Sequence, residues 1–175
     1  MLNLIQDIGN LRALCGEISA VQAMESSAAR CFAVKDTASM NMRFANGALG
    51  SFIASDTAAS SRSWEHISGE DPRYDLARVH DDDCYLVAGT MGSLSIPSMR
   101  LKTFGSAAEQ CWHKPLRTTR LDVPVIDPMQ AQMAHFCDVI RGLAKPLVSA
   151  RDGLQNLKVV QAISESARTG QMVFI

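Results

Sequence analysis

The sequence predicts an α+β domain in which an open, mainly antiparallel β-sheet carries helices packed on one face. Three observations lead there. Ala38, Met40, Met42 and Phe44 alternate with Ser39, Asn41 and Arg43, and Asn46-Gly47 follows directly. Later alternating runs succeed one another through short turns, which favours antiparallel pairing. Apolar stripes at helical spacing stand at both ends of the chain.

The first stripe is Leu4, Ile5, Ile8, Leu11 and Cys15, with Asn3, Gln6, Asp7 and Asn10 on the other side. Gly16 can take a positive φ and end that helix. No capping residue precedes Leu2, as expected of a helix cut from something longer. Residues 17–24 alternate weakly and form a first strand. The alternation over 38–44 is the mark of a half-buried strand. Asn46-Gly47 suits a two-residue type I′ turn, which would set Phe44 opposite Leu49, Met42 opposite Ser51 and Met40 opposite Ile53. That face is expected to meet the helices. Residues 57–83 are polar and end in Asp81-Asp82-Asp83. A connection of ~25 residues is usually functional or mobile. Cys84 to Ala88 reads as a buried strand, Gly89 to Gly92 as a turn, and Leu94 with Ile96 as the return strand. Met99, Leu101 and Thr103 add another, and Trp112 to Val123 one more. Asp127 can cap a helix that Pro128 begins, with a stripe of Met129, Met133, Phe136, Cys137, Ile140 and Leu143. Ser149 and Asp152 resemble a capping box ahead of Leu154, Leu157, Val160, Ile163 and Ala167. Gly170 stops this helix, and residues 172–175 form a short edge strand.

Composition excludes several classes. The chain has 175 residues, the size of one domain. Hydrophobic residues make up 47% and charged residues 20%, which excludes a disordered chain, a coiled coil or a collagen-like repeat. Lys and Arg total 17 against 18 Asp and Glu. Without a basic excess, a dedicated nucleic-acid binder is not expected. No apolar run reaches the ~18–20 residues of a membrane span, and residues 1–12 lack the pattern of a secretory signal. The five cysteines (Cys15, Cys31, Cys84, Cys111, Cys137) are scattered singly. Buried thiols in a reducing cytoplasm are therefore expected.

The segments NLIQDIGNLRALCGEI (3–18), DTASMNMRFANGALGSFIASDTA (36–58), GTMGSL (89–94) and QMAHFCDVIRGLAKPLVSARDGLQNLKVVQAI (132–163) occur in an order and spacing that resembles the C-terminal domain of the Gfo/Idh/MocA oxidoreductases. That group includes inositol, glucose–fructose and other sugar dehydrogenases. The resemblance spans nearly the whole chain. It implies a single domain over 1–175 that shapes a substrate pocket and makes oligomer contacts, giving a homodimer or tetramer through the open sheet face. It also implies a separate N-terminal Rossmann domain for NAD or NADP, which this chain would lack as a fragment or natural remnant. The eleven glycines contain no GxGxxG, so no cofactor is expected on this chain. Alone, it is expected to turn nothing over.

The family's first helix bears a histidine in an HxxD setting that takes up or gives a proton. By the resemblance, Gln6 stands at the histidine position and Gly9 at the acidic one. A glutamine amide has no usable pKa, so Gln6 can hydrogen-bond a hydroxyl but cannot be the base. Asn3 and Asn10 join it as substrate-binding candidates. Arg62 could clamp a carboxylate, Trp64 could stack on a sugar ring, and His66 could contribute to binding or replace the missing base. The alternative for these three is a loop anchored by one aromatic. His80 to Cys84 reads as a solvated acidic loop rather than a metal site, since adjacent residues cannot converge on one ion. His135 reads as structural, His113 as part of a strand, and Met40, Met42, Met129 and Met133 as core filler. Two other functions stay open: a non-catalytic binding or dimerisation module, and a cofactor-independent lyase or isomerase using His66, Asp56 or Glu65.

Overall fold

The computed structural model describes residues 4–68, 82–111, 113–124 and 126–175. Asn3, His80, Asp81 and Trp112 lie outside the described residues. In chain order the elements are α1 (Leu4–Cys15), β1 (Ile18–Ser26), β2 (Thr37–Phe44), β3 (Leu49–Ser55), the single turn α2 (Trp64–Ile67), β4 (Tyr85–Ala88), β5 (Gly92–Ile96), β6 (Arg100–Thr103), β7 (Arg117–Arg120), α3 (Pro128–Ile140), α4 (Ala150–Thr169) and β8 (Val173–Phe174). The α+β class is as read from the sequence. The strands form two four-stranded antiparallel sheets, in the orders β3-β2-β1-β8 and β4-β5-β6-β7. Contacts divide the chain into two compact units, Met1–Ala58 with Lys145–Ile175, and Ala59–Ala144.

In the first unit, helix α4 packs on β1 and α1 packs on α4, so both helices serve one face of the first sheet. Leu4 and Ile8 of α1, Ile18, Val21 and Ala23 of β1, Met40, Met42 and Phe44 of β2, and Val159 and Ile163 of α4 make the core. Burying a side chain such as Ile8 or Ile163 stabilises the fold by about 1.5–3 kcal/mol. Strand β8 pairs only with Ala20 and Val21. Past its end the β1 backbone is answered by a side chain: the Ser166 hydroxyl accepts from the Ala23 N–H at 2.9 Å and donates to the Gln171 carbonyl at 2.6 Å.

The hairpin between β2 and β3 differs from the expected one. The Phe44 N–H donates to the Ala48 carbonyl, the Gly47 N–H donates to the Phe44 carbonyl, and Gly47 has φ +90°. This is a three-residue loop, a type I turn closed by a left-handed glycine. The extra residue moves the register by one, pairing Met40 with Phe52, Ser39 with Ile53 and Arg43 with Leu49. A one-residue slip turns every β3 side chain to the other face. Leu49 and Ile53, expected in the core, are therefore 78% and 71% exposed on the open face. Phe52 and Ala54 pack against the core instead.

The caps follow the sequence. Asp127 accepts from the Met129 and Gln130 N–H groups, Ser149 and Asp152 close a capping box, and Gly170 ends α4 at φ +70°. Two faces do not follow it. On α4 the inward side is Asn156, Val159, Ala162, Ile163 and Ser166, while Leu154 and Leu157 are exposed. Asn156 and Ser166 turn inward because they carry hydrogen bonds to Arg12 and to β1. On α3 the apolar stripe, including Met129 and Met133, lies in solvent rather than filling a core. Helical spacing shows which residues share a face, not what that face meets. Residues Arg117–Arg120 alone form β7, and His113 sits in a turn.

Candidate functional site

Helix α1 is the element that carries the sequence's main site candidates. Its inner stripe is Leu4, Ile8 and then Arg12, a cation where the pattern asked for an apolar residue. The Arg12 side chain is only 7% exposed. Its Nε and Nη2 donate to the two Glu17 carboxylate oxygens at 2.9 and 2.6 Å. Its Nη1 donates to Asn156 Oδ1 at 2.6 Å and to the Asp152 carbonyl at 3.1 Å. One guanidinium fork thus ties α1 to the start of β1 and to the first turns of α4. The Glu17 hydrogen bond, working against burial, raises the Arg12 pKa, and the charges of Glu17 and Asp152 add to it. The same bond lowers Glu17. Gly9 gives Asn156 its place: a Cβ at residue 9 would stand 3.0 Å from Asn156 Nδ2. Sequence reasoning missed Arg12. Its only signal was position, four residues after Ile8 on the stripe.

On the opposite side of α1, Gln6 and Asn10 are both exposed, one helical turn apart. The two side chains share one side of the helix, and Asn3 lies outside the described residues. Gly16, at φ +94°, ends the helix, and the Asn46 amide donates to the Cys15 carbonyl at 2.9 Å. A shallow cleft of about 290 Å³ opens nearby, lined by Glu17, Ser19, Gln155 and Lys158 among others, but not by Gln6 or Asn10.

Arg62, Trp64 and His66 belong to the second unit, around α2. Arg62 and His66 are exposed. Trp64 leans on Tyr85, the buried aromatic of β4, with ring centroids 6.0 Å apart at 57°. This contact holds the Trp64 ring beside β4. The Glu65 carboxylate accepts from the Ser63 hydroxyl at 2.6 Å. In the first unit, Asp56 pairs with Arg30 at 2.9 Å. The structure leaves the acid/base candidates Asp56 and Glu65 engaged in separate local contacts. The acidic run is not a solvated loop at its end: Asp83 is held by the Ser98 N–H and hydroxyl at 2.8 and 3.0 Å and by Arg100 at 2.8 Å. Burial pushes the Asp83 pKa up, but these donors together hold it lowered. Among the described residues, no group of three His, Cys, Asp or Glu is placed to hold a metal ion. No described helix is long and apolar enough to cross a membrane.

The described residues do not fit a dinucleotide. Among them the positive-φ glycines, Gly16, Gly47, Gly142 and Gly170, are helix ends and a hairpin turn. None opens a helix after a strand, the arrangement that cradles a pyrophosphate.

The C-terminal α/β domain of an oxidoreductase family matches residues 3–175. No curated protein matches the chain. Among solved structures, an oxidoreductase from Agrobacterium radiobacter in complex with NAD+, L-tartaric acid and magnesium matches at 16% identity and a TM-score of 0.67, covering 97% of this chain and 47% of that one. The aldose-aldose oxidoreductase of Caulobacter crescentus, complexed with glycerol, matches at 22% and 0.67, covering 98% and 46%. A levoglucosan dehydrogenase in complex with NADH and levoglucosan matches at 23% and 0.65, covering 98% and 48%. The chain thus spans under half the length of these relatives in fold.

Proposed function

This chain belongs to the Gfo/Idh/MocA oxidoreductase family, as its C-terminal α/β domain, and from that premise we propose that it is the substrate side of a cytoplasmic NAD(P)-dependent oxidoreductase of sugars or polyols. The observation that carries this reading is the paired amide face of α1, Gln6 with Asn10, on a helix whose inner side is clamped by Arg12. Two neutral amides a turn apart can each donate to and accept from vicinal hydroxyls, as polyol recognition requires. Gln6 orients a hydroxyl and cannot take its proton. Arg62, Trp64 and His66 are the second candidate group, with Arg62 and His66 its exposed members.

In this reading NAD or NADP rests on a separate Rossmann domain, and no chemical step is assigned to the residues of this chain. The open face of the first sheet carries Met24, Leu49, Ile53 and Phe174, all more than 70% exposed, around Asn41 and Arg43. An apolar patch rimmed by polar residues favours association, so the domain forms a homodimer or tetramer through that face. The same patch, with glutamine in place of a base, favours a second reading as a non-catalytic dimerisation module.

Titration calorimetry separates the two. The substrate-side reading expects saturable binding of a polyol such as myo-inositol, glucose or levoglucosan to the 175-residue chain. Dimerisation with no polyol binding supports the second reading and overturns the first.

A further inference from the structure

The second sheet carries cations where strand pairing does not need them. Its register sets Ser95 opposite Arg100 and Arg100 opposite Arg120, with Ser93, Lys102 and Thr118 in the next row. Side chains two apart along a strand share a face, so Arg100, Lys102 and Arg120 project from one side together with these hydroxyls. Like charges directly opposite each other destabilise a sheet. Asp83 answers Arg100 at 2.8 Å. Lys102 and Arg120 are exposed, and among the described residues neither has an ion-pair partner. Protection of a sheet edge explains charges on the outer strand only. Here Arg100 and Lys102 lie on β6, an inner strand between β5 and β7.

We propose that this face binds the phosphoryl groups of a small phosphorylated metabolite, with Lys102 and Arg120 as the charged ligands and Thr118 as a hydroxyl donor. Opposed positions lie about 5 Å apart and successive same-face positions about 7 Å apart, a span that suits one phosphoryl group or a pyrophosphate bridge. Arginine matches phosphate oxygens in pairs, and lysine adds a point charge. Arg100, tied to Asp83 and to Ser98, adds field without having to turn. The site lies within residues 83–120 and is independent of Gln6 and Asn10.

The test is calorimetric titration of the full chain with inorganic pyrophosphate. The wild type and Lys35→Gln, an exposed cation elsewhere, should bind saturably, and added salt should weaken the binding. The double variant Lys102→Gln/Arg120→Gln should bind at least about tenfold more weakly, the loss expected for removing charge-assisted hydrogen bonds. Titrations with glucose 1-phosphate and UDP-glucose distinguish a sugar phosphate from a nucleotide sugar. Should the double variant lose its native circular dichroism, Lys102→Gln alone decides, with a several-fold loss expected. Absent pyrophosphate binding, an unchanged affinity in the variants, an equal loss in Lys35→Gln, or binding of heparin only would each overturn the proposal.

Discussion

Replacing Arg12 by alanine should destabilise the first unit by about 2–4 kcal/mol, and each part of that figure has a source in the structure. The guanidinium donates to both Glu17 oxygens, to Asn156 Oδ1 and to the Asp152 carbonyl. The Glu17 side chain is 59% exposed and regains water when the arginine is gone, so that arm costs little. Asn156 is buried and keeps an orphaned acceptor, which costs about 1–3 kcal/mol. The lost packing of the aliphatic stem adds about 1 kcal/mol. Arg12→Lys keeps the charge but cannot reach Glu17 and Asn156 together, and should lose about 1–2 kcal/mol. Urea unfolding followed by circular dichroism measures the change, and hydrogen exchange of the α1 amides locates it. An Arg12→Ala loss below about 0.5 kcal/mol, the range of ordinary surface substitutions, would refute the view that this fork holds α1 in place.

Gly9→Ala should gain about 1 kcal/mol of helix propensity but displace Asn156 from Arg12, for a net loss. In an Arg12→Ala background the same change should become stabilising, and a double-mutant cycle by urea unfolding reads the coupling. Glu17, Asp36, Asp83 and Asp152 all have folded pKa values below their ordinary ones. Their contribution is fully present above the ordinary carboxylate range near pH ~4 and is lost as pH falls through the depressed folded values. Acid unfolding should therefore be shallower in Asp83→Asn than in the wild type, and an equal slope would argue against the Arg100 and Ser98 contacts. Ile53→Lys places a charge on the open sheet face, where the type I′ register would bury it. It should leave the monomer's unfolding free energy unchanged to within about 0.5 kcal/mol while dissociating any dimer in sedimentation equilibrium. A collapse of the fold would restore the register first expected.

The elements and caps were legible because their causes are local: Asp127, Ser149 with Asp152, and Gly170 act over a few residues. The hairpin was half legible. Asn46-Gly47 marked its place, but loop length is decided by whether Gly47 closes a two- or three-residue turn, and that choice moved Leu49 and Ile53 to the open face. Faces that depend on partners were not legible. Asn156 and Ser166 turn inward on α4 because Arg12 and the Ala23 N–H wait there, and no periodicity in α4 records that. For α3, the methionine stripe gave the amphipathic face but not its surroundings. Gln6 and Asn10 could be placed on one helix side from spacing alone, whereas nothing in the spacing tells that Arg12 is buried against Glu17 and Asn156. For Trp64 the spacing leaves ligand and anchor both open, and its contact with Tyr85 depends on a strand that lies about twenty residues further along the chain.

The side-chain amide of Gln6 reports most directly on whether α1 meets a hydroxylated substrate. Its NH₂ resonances can be assigned in a ¹H–¹⁵N spectrum by their loss in Gln6→Ala, then followed during titration with myo-inositol, glucose or levoglucosan. Saturable shifts of the Gln6 and Asn10 side-chain amides, with one shared dissociation constant, are the expected result. Polyol-induced shifts confined to other residues, with both amides unmoved, would contradict the assignment of this helix to substrate recognition.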